Sequence, residues 1–268
     1  MIEFVDTPSP NFDERNCRKP VDMVVLHYTG MPNAAAALKR LTDPESKVSA
    51  HYCIDEDGTI HRLVPEEKRA WHAGVSYWRG VRDVNARSIG IELVNPGHEF
   101  GYREFPKMQI DALLALLKDI AGRYEIMPGN YVGHSDIAPQ RKEDPGELFP
   151  WHRLAAEGFG RWWSPDFAVS PNAPRLAPGD RSGAVLELQV ALDRIGYAIE
   201  GSGLYDSLTE GAVRAFQRHW RPAKVDGISD AETTSLIHHI AGRAQIRRAG
   251  VEKAAAEKAG ADSKKASG

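Results

Sequence analysis

The chain has 268 residues, 42% of them apolar and 26% charged, and a formal net charge of −3. That is the composition of a folded globular protein, and so small a charge gives no basis for nucleic acid or an anionic membrane as a partner. No apolar run approaches the ~20 residues of a transmembrane helix, and two cysteines, Cys17 and Cys53, are too few for a disulfide framework or a four-thiolate metal site.

The first residues, MIEFVDTPSPNFDERN, show no basic segment followed by an apolar one. On that ground the chain reads as cytoplasmic. DMVVLHYTG (Asp22 to Gly30) is a β-branched apolar run closed by glycine, which predicts a buried strand. Asn33 caps a short helix over AAAALKRLTD, and SAHYCIDEDGTIHRLV (Ser49 to Val64) predicts a hairpin around Asp55-Glu56-Asp57-Gly58. SIGIELVNPG (Ser88 to Gly97) alternates like a strand. The helical spacing of Ile110, Leu113, Leu114, Leu117, Ile120 and Ala121 predicts a helix from Met108 to Tyr124. YVGH (Tyr131 to His134) is a brief strand leading into GHSDIAPQRKEDPG, whose prolines predict a stiff loop that is neither helix nor regular strand. Strands and helices mixed in this way predict an α/β fold, a central mixed sheet flanked by helices.

After FGRWW the composition changes. Pro165, Pro171, Pro174 and Pro178 mark a semi-rigid linker, followed by three short helical patterns. The first carries Val185, Leu188, Leu192 and Ile195; the second opens on a Ser207–Glu210 capping box; the third opens on Ser229–Glu232. The division is therefore an α/β unit at 1–163, a linker at 164–180, an all-α unit at 181–242 and a low-complexity, basic tail at 243–268.

Candidate chemistry centres on histidines at strand ends. His27 and His134 each end an apolar strand, where sheet proteins place ligands. His51 sits mid-strand and reads as structural. His98, His152, His219, His238 and His239 fall in loops or on helix surfaces without partners of interest. His27, His134 and a loop aspartate would supply two imidazoles and a carboxylate, the ligand count of a catalytic zinc. Asp136 and Asp144 compete for the third place. Glu92 interrupts the apolar strand IGIELVN, so either a buried ion pair or catalysis must account for it. Lys142 could reach the same site as a cation. A thiol pairing of Cys53 with His51 has nothing to orient the imidazole.

VVLHYTG, SAHYCI, WHAGVSYWRG, NARSIGIELVN and GHSDIAPQRKEDPGELFPW together resemble the type 2 family of zinc-dependent N-acetylmuramoyl-L-alanine amidases, over most of residues 15–160. The short loop after His27 and the FPW ending are most similar to the bacterial outer-membrane lipoprotein branch. GLYDSLTEGAVRAFQRHW and VDGISDAET resemble a peptidoglycan-binding-like three-helix domain. The resemblance implies hydrolysis of the amide between the muramoyl lactyl group and L-alanine, in peptidoglycan or in released anhydromuropeptides. It implies Zn2+ held by His27, His134 and Asp144, Glu92 as general base, and Lys142 stabilising the oxyanion. Trp71, His72 and Asn85 fall in blocks that border the family's substrate groove. A relative of the lipoprotein branch would work in the cell envelope rather than the cytoplasm. The alternative is a peptidoglycan recognition protein that binds without cutting, which has no need of all three ligands together with Glu92 and Lys142.

Overall fold

The computed structural model describes residues 2–15 and 20–242. The basic tail and Cys17 lie outside them. Eight strands form: β1 (Val5–Asp6), β2 (Phe12–Glu14), β3 (Met23–Tyr28), β4 (Tyr52–Ile54), β5 (Ile60–Arg62), β6 (Lys68–Ala70), β7 (Ser88–Leu93) and β8 (Tyr131–Gly133). Six make one sheet in the order β1-β5-β4-β7-β3-β8, while β2 and β6 pair separately. The sheet is mixed. β3 runs parallel to both β7 and β8, whereas β4 and β5 form the expected antiparallel hairpin.

Alternation along β3 and β7 decides what each face of the sheet does, because successive side chains point to opposite sides. Val24, Leu26, Ile89, Ile91 and Leu93 meet Ile110, Leu113, Leu117 and Ile120 of α3 (Lys107–Ala121) in one apolar cluster. The intervening residues face the other way. In register, Met23 lies opposite Ser88, Val25 opposite Gly90 and His27 opposite Glu92. One face of β3 and β7 is thus core, and the last residues of the other face carry the candidate chemistry. The capped helix α1 (Ala34–Thr42) forms as expected: Asn33 Oδ1 accepts from Ala36 N at 3.0 Å, and Ala37 and Leu41 are buried.

The loop after β8 is stiff, but it is not without helix. His134–Ile137 makes one turn, α4, because Asp136 Oδ2 accepts from Gly133 N at 2.8 Å and ties off that end. A short α2 (Gly97–Phe100) and α5 (Trp151–Ala156) complete the first unit.

The C-terminal helices are α6 (Gly183–Ile195), α7 (Ser207–Trp220) and α8 (residues 231–242). Two caps differ from the expected serines by one residue. Asp206 Oδ1 accepts from Thr209 N, and Asp230 Oδ1 accepts from Thr233 N. A carboxylate fills the cap and also opposes the positive end of the helix dipole, which a hydroxyl does not. Ser229 instead bonds to Thr234, and its backbone pairs with Leu176 of the linker.

These helices do not hang from the first unit. Met23, Val25 and Val132 of the sheet share one apolar cluster with Leu188, Tyr197, Phe216 and Ile237. A buried aliphatic side chain contributes roughly 1.5–3 kcal/mol, so even a few such shared contacts oppose free swinging of the two units.

Candidate functional site

Three side chains converge at the C-terminal ends of β3 and β8. His27 Nδ1 lies 3.0 Å from His134 Nδ1 and 3.0 Å from Asp144 Oδ2, and His134 Nδ1 lies 3.1 Å from the same oxygen. All three residues are buried. His27 is carried by β3, His134 opens α4, and Asp144 ends the stiff loop, whose two ends are joined by Ser135 N donating to Asp144 O.

Hydrogen bonds behind the histidines favour one placement of the ring protons. The Ser88 hydroxyl donates to Val84 O at 2.7 Å, so at the 3.2 Å contact between Ser88 Oγ and His72 Nε2 it is the ring that donates. Burial, reinforced by His27 and His51, holds the His72 pKa well below its usual value, so the ring is neutral and its Nδ1 bears a lone pair. That lone pair accepts from His27 Nε2 at 3.1 Å. His134 Nε2 donates to Ala73 O at 3.1 Å. Both histidines therefore turn Nδ1 toward the Asp144 carboxylate, and the neutral form of each with its proton on Nε2 leaves that Nδ1 free to bind a cation. Burial lowers the His27 pKa to about 4, with His134 and Lys142 adding to the effect. Burial pushes the Asp144 carboxyl up, but a proton shared from either imidazole more than offsets this and holds it well below the usual carboxylate range, so Asp144 is ionised whether a proton or a cation faces it.

Two imidazole nitrogens and a carboxylate oxygen about 3 Å apart are spaced so that one cation can join them. Ligand atoms of one tetrahedral zinc, at bond lengths of ~2.0–2.1 Å, lie about 3.3 Å apart. The donor set and its spacing fit a metal ion, and the residues form a group that could hold one.

Asp136, the other aspartate of the loop, is engaged elsewhere. Its oxygens are taken by Gly133 N, Tyr197 Oη and His219 Nδ1, each at 2.8 Å. Glu92 sits on β7 beside His27, partly exposed, with Oε2 buried and unpartnered. No ion pair accounts for it among the described residues. Burial and the Asp144 carboxylate push its pKa well above the usual range, against the pull of Lys142 and Arg40. Lys142 and Glu92 both line the same cleft of about 910 Å³ as His27, His134 and Asp144.

Of the expected substrate contacts, Trp71 does line the cleft and donates from Nε1 to Asp13. His72 lines the cleft too, although only 9% exposed, and supports His27 as described. Asn85 is not on the cleft wall. Its Oδ1 accepts from the backbone of His72 and Ala73, which fixes the segment carrying His72. The assignment of Asn85 to substrate contact is corrected accordingly: its buried side chain is consumed by backbone amides.

His51 is a satisfied core residue, accepting from Gly90 N at Nδ1 with its pKa lowered by burial to about 3. Burial pushes the Cys53 thiol well up, which removes the thiolate a nucleophile would need. His219 is corrected from a helix-surface histidine to a buried partner of Asp136. Sequence reading also missed Arg214 and Arg218 of α7, which line the cleft from the C-terminal unit. No local signal could have placed them there.

Comparison with known proteins agrees with this geometry. Residues 18–147 match the N-acetylmuramoyl-L-alanine amidase family model, and residues 181–237 match a peptidoglycan binding domain model. N-acetylmuramoyl-L-alanine amidase AmiD of Escherichia coli strain K12 is 41% identical over 81% of this chain and 80% of its own length. The chain belongs to the N-acetylmuramoyl-L-alanine amidase family. The structure of AmiD from E. coli with the substrate anhydro-N-acetylmuramic acid-L-Ala-D-gamma-Glu-L-Lys has a TM-score of 0.72 to this amidase, with 37% identity over 83% of this chain and 89% of that one. AmpDh3 from Pseudomonas aeruginosa gives a TM-score of 0.71 at 34% identity, covering 88% and 94%. The 1,6-anhydro-N-acetylmuramyl-L-alanine amidase AmpD of Enterobacter cloacae is 34% identical over 58% of this chain but 90% of its own length. Its matched region leaves little of its length for a C-terminal unit of this kind.

Proposed function

We infer that this chain hydrolyses the amide joining the muramoyl lactyl group to L-alanine, with zinc held by His27, His134 and Asp144. One observation carries the reading: two imidazole nitrogens and a carboxylate oxygen meet in a cleft that also holds a carboxylate without an ion pair among the described residues, Glu92, and a cation, Lys142. Zinc, when bound, supplies Lewis acidity and lowers the pKa of a water from ~15.7 to about 7. Glu92, poised by its raised pKa, takes the proton of the attacking water and returns it to the leaving amine. Lys142 stands ready for the negative charge that develops on the carbonyl oxygen. Trp71 offers an apolar face on the same wall for the sugar or the peptide.

The substrate class follows from the relatives, two of which have been captured with anhydromuramic peptides. We assign this chain peptidoglycan or its anhydromuropeptide fragments. The test is chelation followed by zinc restoration, run side by side on purified sacculi and on soluble anhydromuropeptide. Loss and recovery of amide cleavage on either substrate supports the reading, and the preferred one defines the substrate size. Binding of sacculi with no cleavage of either substrate by the zinc-loaded protein would replace it with a recognition role.

A further inference from the structure

The loop that carries His134, Lys142 and Asp144 is gripped along its length by a helix from the other unit. At its start, Asp136, two residues after His134, receives hydrogen bonds from His219 of α7 and from Tyr197, which follows α6. In its middle, Gln140 Nε2 donates to Leu208 O at 3.1 Å. There the loop presses so closely on α7 that a Cβ at Gly211 would run into the Gln140 amide. At its end, Glu143, between Lys142 and Asp144, pairs with Arg218 at 2.8 Å. His219 and Arg218 are consecutive on the helix, and they hold opposite ends of the loop. The grip is buried: His219 is 3% exposed and Asp136 1%, and the His219 ring stacks between Trp151 at 3.8 Å and Trp220 at 3.7 Å.

We propose that the C-terminal unit is a working part of the active centre, with Tyr197, Arg218 and His219 acting as positioning residues for the metal-binding loop. This rests on the metal reading given above. Mobility of a ligand-bearing loop weakens metal affinity, because the ordering of that loop must then accompany binding. Partners of metal ligands that set orientation in this way are worth ~10–100-fold in affinity or activity. A relative without the unit must support its loop by other contacts. The proposal therefore concerns this chain and others that share the helix.

The experiment uses the full chain and reads zinc directly, by competition with a chromophoric chelator. Tyr197→Phe removes one hydroxyl and leaves the ring. His219→Leu removes the donor to Asp136, while His219→Asn keeps a donor near the Nδ1 position. Ile237→Val, in the apolar cluster of α8, loosens the C-terminal unit without removing any hydrogen bond or ion pair to the loop. The combined Tyr197→Phe, His219→Leu protein is expected to bind zinc ~10–100-fold more weakly than the parent, and Asn at 219 is expected to recover most of its share. In the metal-free proteins, hydrogen exchange at Ser135, Ala138 and Lys142, whose amides bond within the loop, should quicken in the double variant.

Zinc affinity and loop exchange both within twofold of the parent would overturn the proposal and make α7 a passive cap. So would an equal loss of affinity in Ile237→Val, which would show general loosening rather than positioning. A parent protein that binds no zinc would overturn the metal reading itself. The exchange arm separates the two failures, since it reads the loop without metal.

Discussion

Replacing His72 with alanine tests the tautomer chain behind the metal site. His72 Nδ1 is the acceptor for His27 Nε2–H, and His27 is 1% exposed. Without the imidazole, that proton loses its partner in a buried site, at a cost of ~1–3 kcal/mol. His27 escapes the cost by carrying its proton on Nδ1 and donating it to Asp144, 3.0 Å away. That is the one tautomer that cannot ligate through Nδ1. Making the ligating form less favourable by this amount weakens zinc binding roughly 5- to 150-fold. The assay is chelator competition at fixed pH, with KM measured on the same preparation. Ser88→Ala keeps the ring but withdraws the hydroxyl that accepts from His72 Nε2, so it should shift affinity in the same direction by less. A His72→Ala protein whose zinc affinity stays within twofold of the parent while its KM rises would refute the chain of reasoning. It would leave substrate contact as the role of His72, which lines the cleft.

Glu92→Gln should abolish amide cleavage yet raise the melting temperature of the metal-free protein at neutral pH, as read by calorimetry. The folded-state pKa of Glu92 is raised above the unfolded value, so stability is fully present below about pH 4 and falls as pH climbs through the folded pKa. The two proteins should therefore melt alike in acid and diverge on going to neutral pH. Zinc refilling of chelated protein at ~1,000 times its dissociation constant contributes about 4 kcal/mol, which for a chain of this size is a rise of roughly 8–16 °C. Asp144→Ala should remove most of that rise. Arg214 lies on the cleft wall and is 40% exposed at the side chain. Because solvent screens such a charge, Arg214→Ala should raise KM for a carboxylate-bearing stem peptide only ~2–5-fold, with kcat within twofold. Steady-state kinetics on a soluble muropeptide checks this.

Much of this protein is legible locally. Alternation marks β3 and β7, helical spacing marks α3, and an Asp-Gly turn marks the β4–β5 hairpin, because each depends on neighbours within a few residues. The same alternation puts His27 and Glu92 on the face opposite the apolar core. What the residues alone left open was decided by long-range contacts. Asp136 and Asp144 are equivalent in sequence, eight positions apart in one loop. They differ only because Tyr197 and His219, more than sixty residues away, occupy the first and leave the second facing the histidines. His72 reads as a groove residue and does line the cleft, but its support of His27 depends on Ser88 and Val84, which no local pattern relates to it. The C-terminal helices read as a separate module on a proline-rich tether, and their amphipathic pattern does show that they bury one face. Only the folded chain shows which surface of the catalytic unit shares that core, since a periodic pattern specifies that a face is covered but not by what.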